Sequence, residues 1–160
     1  MKPDIPAAAS FTALILACLS TMTLADDHGS LHLDNVWARA TPPGASTGAG
    51  YLTIHNHGGD EDRLTGASVE FAERVEIHRS VEEDGMARME KLAEGLPVPA
   101  NGMVSLSPGG YHLMFLELNG QLVKGDTHAL TLKFEQAGEQ EVTLEVRAHD
   151  SDGDNHHHHH

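Results

Sequence analysis

Ser107-Pro108-Gly109-Gly110-Tyr111-His112-Leu113-Met114-Phe115-Leu116 is the stretch from which the fold of this chain is read. A Pro-Gly-Gly turn delivers a β-prone run, and side chains two apart on a strand share a face. His112 and Met114 therefore project together. An imidazole beside a thioether is half of a soft metal site, so the other half is expected upstream, on a hairpin.

Glu82-Glu83-Asp84-Gly85 supplies that hairpin. A two-residue loop at Asp84-Gly85 pairs Ser80 with Met89 and leaves His78 and Met89 as diagonal neighbours. A four-residue loop at 82–85 pairs His78 with Met89 directly. Both place these two on one face and Met86 on the other. Val75, Ile77 and Val81 alternate with Glu76, His78 and Ser80, which puts His78 away from the core. Two imidazoles and two thioethers (His78, Met89, His112, Met114) suit copper(I): neither ligand type must lose a proton at neutral pH, and thioether favours Cu(I) over Zn(II). Without a Cys ligand a blue-copper electron-transfer centre is excluded. Whether three or all four residues bind stays open.

Outward from these strands the chain from Leu31 onward is all-β. Segments near 31–40, 48–55, 62–70, 74–81, 86–92, 102–107, 111–118, 127–135 and 140–148 are separated by Gly, Pro, Asn and Asp clusters. Strands at this spacing predict an antiparallel two-sheet β-sandwich of Greek-key type. Thr41-Pro42-Pro43-Gly44 and Leu96-Pro97-Val98-Pro99 belong in loops or at edges, since proline cannot donate to a ladder.

Composition agrees. Among 160 residues there are 13 His and 6 Met beside one Cys, and the net charge is −14. That charge argues against nucleic acid and anionic membrane surfaces and raises the local concentration of cations. Residues 1–25 read as a secretory signal peptide cleaved near Ala25, with no membrane insertion afterwards. The alternative is a lipoprotein at Cys18, because Ile15-Leu16-Ala17-Cys18 resembles a lipobox. Either way export is expected, to the periplasm. Residues 26–148 form the domain, a monomer by expectation, and 149–160 form a disordered tail, either native or a tag.

At its ligand positions the sequence resembles the PCu(A)C periplasmic copper chaperones, whose motif is a His, ten residues, a Met, about twenty-one residues, then His-x-Met. His78 and Met89 match the first spacing, and Met89 to His112 is one residue longer, with the extra residue placed in the turn near Ala93-Glu94-Gly95. Arg79 and Ser80 stand where many relatives carry a further Met. Val36 to Gly44 and Thr47 to Ile54 resemble the family's opening strands, so the likeness spans roughly Leu31 to Arg147. It implies a cupredoxin-like β-sandwich. It also implies copper capture and delivery toward the copper subunit of cytochrome c oxidase, alongside a Sco-type protein.

Other histidines invite Cu(II). Cleavage after Ala25 would expose Asp26-Asp27-His28, whose amine, amides and imidazole suit a square plane. His149 and His156, His157, His158, His159 and His160 make a metal-attracting tail. His55 and His57 share a face at a strand end and read as turn residues or a weak surface site; His32 and His128 carry no functional argument. The sequence offers no Ser/His/Asp arrangement, phosphate loop or carboxylate pair, and a metalloenzyme would need more clustered His and an open position. The expectation is a carrier, not an enzyme. The alternatives are a copper sequestration or tolerance protein, or an interaction sandwich with metal chemistry only in its termini.

Overall fold

The computed structural model describes residues 30–148, and within them ten strands form. They are β1 (Leu31–Arg39), β2 (Thr47–Asn56), β3 (Asp62–Val69), β4 (Ala72–Glu83), β5 (Met86–Lys91), β6 (Leu96–Val98), β7 (Gly102–Leu106), β8 (Tyr111–Leu118), β9 (Thr127–Phe134) and β10 (Gly138–Arg147). The signal peptide, Cys18, Asp26, Asp27, His28, His149 and the terminal His run lie outside the described residues.

One continuous hydrogen-bonded ladder runs β5-β4-β8-β7-β2-β1-β10-β9-β3-β6. It folds over on itself, bringing β3 against β4 and β6 against β2 and β7. The alternating apolar residues of both layers meet in one core: Leu52, Ile54, Leu64, Ile77, Leu113, Phe115, Leu130, Leu132, Leu144 and Val146 are all buried. Pairing is antiparallel except between β1 and β10 and at a single β7–β8 bridge, Leu106 with Tyr111. The parallel pair departs from the purely antiparallel expectation. First and last strands share no connecting turn, so nothing in the covalent chain dictates their direction.

Leu96-Pro97-Val98 does form a short strand, and it lies at the sheet edge where proline is tolerated. The opposite edge is β5, exposed along its whole length. Between them β2 carries Gly50, where an added Cβ would come within 2.6 Å of the Phe115 ring. The missing side chain lets that ring lie against the β2 backbone while meeting Phe71 edge-on at 5.0 Å. Phe115 thereby clamps β8 to β2.

Candidate metal centre

Register brings the candidate ligands together. The β4–β5 loop is the two-residue one: Asp84 and Gly85 both have positive φ, 54° and 74°, the backbone of a type I′ turn, and Ser80 faces Met89. The four-residue alternative is thereby excluded. His78 and Met89 are diagonal neighbours on one face, and Met86 stands on the other. On the opposite side of β4, His78 pairs with His112 and Glu76 with Met114. Beyond β8, Ala49 of β2 faces Met114. Three adjacent strands, β5-β4-β8, thus present Met89, His78, His112 and Met114 on one outer face, with Ala49 of β2 flanking Met114.

The Ser107–Gly110 turn sets the β8 pair. Pro108 and Gly109 (φ 82°) occupy its centre and the Gly110 N–H donates to the Ser107 carbonyl at 3.0 Å, as in a type II turn. The Gly110 carbonyl then accepts twice, from the Ser80 N–H at 3.1 Å and from His112 Nδ1 at 3.1 Å. A carbonyl only accepts, so the His112 proton sits on Nδ1 and Nε2 carries a lone pair. Nε2 is buried and has no hydrogen-bond partner.

His78 is arranged in the mirrored sense. Its Nε2 lies 2.9 Å from Glu76 Oε2, and Glu76 Oε1 accepts from Lys91 Nζ at 2.8 Å. The Lys91 ammonium first, and the His78 hydrogen bond second, hold the Glu76 carboxyl at about 2, well below the usual carboxylate range. Ionised, Glu76 can only accept, so His78 donates from Nε2 and its lone pair is on Nδ1. That nitrogen too is buried without a partner. The two rings are tilted at 39° with centroids 5.8 Å apart. Each has one nitrogen held by an acceptor and the other left bare, the arrangement that fixes an imidazole for metal ligation. Burial pushes the His112 imidazole below its ordinary range, which keeps that lone pair available near neutral pH.

Met89, His112 and Met114 line a cleft of about 260 Å³ together with Arg39, Ala40, Thr41, Pro42, Thr47, Gly48 and Ala49; His78 stands beside His112 on the neighbouring strand but does not line it. His112 is only 5% exposed, whereas Met89 is 62% exposed at the rim. The arrangement offers two imidazoles and two thioethers, a donor set for a soft monovalent ion, with no thiolate among the described residues. Sequence reasoning missed Glu76 as the group that orients His78. Its signal was present: Glu76 lies two residues before His78 and therefore on the same face.

Residues 31–146 match the family described as "Putative lipoprotein LpqE-like". A Leifsonia xyli protein, Lxx21020, which carries the same lipoprotein label, is 25% identical over 128 residues, 80% of this chain and 76% of its own length. Among solved structures, the apo PCuAC domain of PmoF1 superposes with a TM-score of 0.63 at 28% identity, over 75% of this chain and 95% of that domain. The Cu(I) form of DR1885 from Deinococcus radiodurans gives 0.59 at 28% identity, over 72% of this chain and 76% of that one. With the match running from β1 to β10, the chain belongs to the LpqE-like family, and its fold is the cupredoxin-like β fold of the PCuAC domains.

Proposed function

We propose that the protein is an exported copper carrier that binds one Cu(I) through His78, Met89, His112 and Met114 and surrenders it to a copper-protein target. The observation that carries this reading is the pair of buried imidazole nitrogens, His78 Nδ1 and His112 Nε2, bare on adjacent strands beside Met114. A buried polar atom without a partner costs roughly 1–3 kcal/mol, and a bound ion removes that cost at both rings at once. Support comes from the similarity to DR1885, solved with Cu(I), and export is supported by the lipoprotein description of the family.

Thioether and imidazole donors hold Cu(I) without thiolate, so a Cys-bearing acceptor can draw the ion away. Met89 at the exposed rim is the ligand such an acceptor meets first. The copper centre of cytochrome c oxidase, reached with a Sco-type protein, is the acceptor implied by resemblance to the copper chaperones. Binding without an activating open position makes this a carrier rather than an enzyme. The test is a Cu(I) competition titration of the chain beside His78→Ala and Met114→Ala. One tight equivalent, lost in both variants, is expected. Equal binding in all three proteins would move the metal chemistry to the termini and leave the sandwich an interaction domain.

A further inference from the structure

A second cross-strand histidine pair lies elsewhere on the outer face. His32 of β1 stands opposite His55 of β2. Their ring centroids are 5.9 Å apart at 42°. Asp34, two residues along β1 and on the same face, reaches both: Oδ1 lies 2.9 Å from His32 Nε2 and Oδ2 lies 3.0 Å from His55 Nε2. The two Nε2 atoms therefore converge on one carboxylate. A third imidazole, His57, stacks on His55 at 6.1 Å with planes 4° apart.

The backbone beneath the cluster is tied down. The His57 N–H donates to the Ser30 carbonyl at 2.7 Å, extending the β1–β2 ladder past its last pair. Buried Asn56 fixes the strand end through Asp60 O, Val98 O and the Gly58 N–H. Immediately after Asp34, β1 carries a bulge with Asn35 at φ 49°. Bulges of this kind re-aim neighbouring side chains. His55 lies six positions along β2 from Ala49, the neighbour of Met114. At about 3.3 Å per residue the cluster is some 20 Å from the cleft.

We propose that His32, Asp34 and His55, with His57 beside them, form a second metal site that takes a borderline divalent cation, Cu(II) most tightly. Imidazole and carboxylate are the ligands such ions prefer, and Cu(II) heads the affinity order for a given nitrogen–oxygen site. The site is not a ready-made cage: among the described residues no group of three or more His, Cys, Asp or Glu side chains is already placed to hold a metal ion, and here Asp34 occupies the Nε2 atoms. With the rings neutral, each donates its Nε2 proton to Asp34. Moving each proton to Nδ1 turns two lone pairs and one carboxylate toward a single focus. His32 and Asp34 are 63% and 49% exposed, which leaves that focus open to solvent. The site shares no residue with the proposed Cu(I) centre and does not depend on it.

The test is residue-resolved NMR of the full chain during addition of Cu(II) chloride, because both termini also carry histidines. Paramagnetic broadening should reach residues 31–34 and 54–57 as a distinct phase after the terminal residues. His32→Gln should weaken that phase at least roughly tenfold, since even groups behind the ligands contribute 10–100-fold, and leave the terminal phase unchanged. Asp34→Asn provides the second variant should either histidine change disturb the sheet. The phase should persist in His78→Ala, which separates it from the Cu(I) centre. Residues 31–34 and 54–57 remaining sharp until Cu(II) is in large excess, or broadening identically in both variants, would overturn the proposal.

Discussion

His78 with His112 and His32 with His55 are two cross-strand histidine pairs of nearly the same geometry, 5.8 Å and 39° against 5.9 Å and 42°. They differ in burial and in where the acceptor stands. In the first pair each ring has its own acceptor, Glu76 or the Gly110 carbonyl, on one nitrogen, and the other nitrogen is buried and bare. In the second, one carboxylate stands between the rings and occupies both. The first pair is sunk beside thioethers and suits a soft ion shielded from water; the second is solvated and suits a divalent one. Ring spacing is thus common to both, and in the two proposed sites it is the neighbours that set which ion each pair would suit.

The largest break in the comparison is at His112. His112→Ala should lower Cu(I) affinity by at least roughly 100-fold, beyond the 10–100-fold typical of losing a group behind the ligands. It should leave Cu(II) broadening at His32 and His55 intact, which a parallel titration of both ions checks. Gly50→Ala comes next and acts through packing. Its Cβ would meet the fully buried Phe115 ring at 2.6 Å, and overpacking of this kind costs about 1–3 kcal/mol. The shift should appear in the denaturant midpoint. It should also disturb β8 and its ligands more than the β1–β2 end of the sheet.

Glu76→Gln tests the orienting role directly. Removing the charge weakens the grip on His78 Nε2 and loses the Lys91 ion pair, so Cu(I) affinity should fall about tenfold. The equivalent change in the other pair, Asp34→Asn, should leave Cu(I) affinity within about twofold, because Asp34 holds His32 and His55 and neither His78 nor His112. A fall of equal size in both variants would mean that surface charge alone governs copper uptake, and the distinction between the pairs would collapse.

Much of this was legible before the structure, because strand periodicity is local. The alternation around Ile77 and Leu113 placed His78, His112 and Met114 on one face, and nine of the ten strands followed from apolar runs between turn residues. The tenth, β6, is three residues with a central proline, too short for alternation to register; the prolines did point to an edge. What stayed hidden was non-local. The spacing allowed two hairpin registers, and only the backbone at Asp84 and Gly85 chose between them. Neither histidine pairing was readable, since His78 meets His112 and His32 meets His55 through strand order. His32 drew no functional argument for that reason, and Glu76 passed as an ordinary polar position until its partners were in place. The signal peptide, the Asp26-Asp27-His28 motif and the terminal His run lie outside residues 30–148 and rest on the sequence.

The smallest effect separates two methionines that the sequence distinguishes only by parity. Met86 and Met89 lie on the same edge strand and are almost equally exposed, 58% and 62%. Their positions differ by three, so they face opposite sides of the sheet, and Met89 alone lines the cleft. Replacing either with Leu keeps size and hydrophobicity, and exposed substitutions of this kind change stability by under about 0.5 kcal/mol. Any difference between them must therefore arise from the sulfur. Met89→Leu should weaken Cu(I) binding by roughly threefold to tenfold, less than about 1.4 kcal/mol, because a rim ligand is partly replaced by water. Met86→Leu should not change it. A competition titration of the two variants side by side decides the matter. Equal affinities would reduce the centre to His78, His112 and Met114 and leave Met89 as a contact for the acceptor.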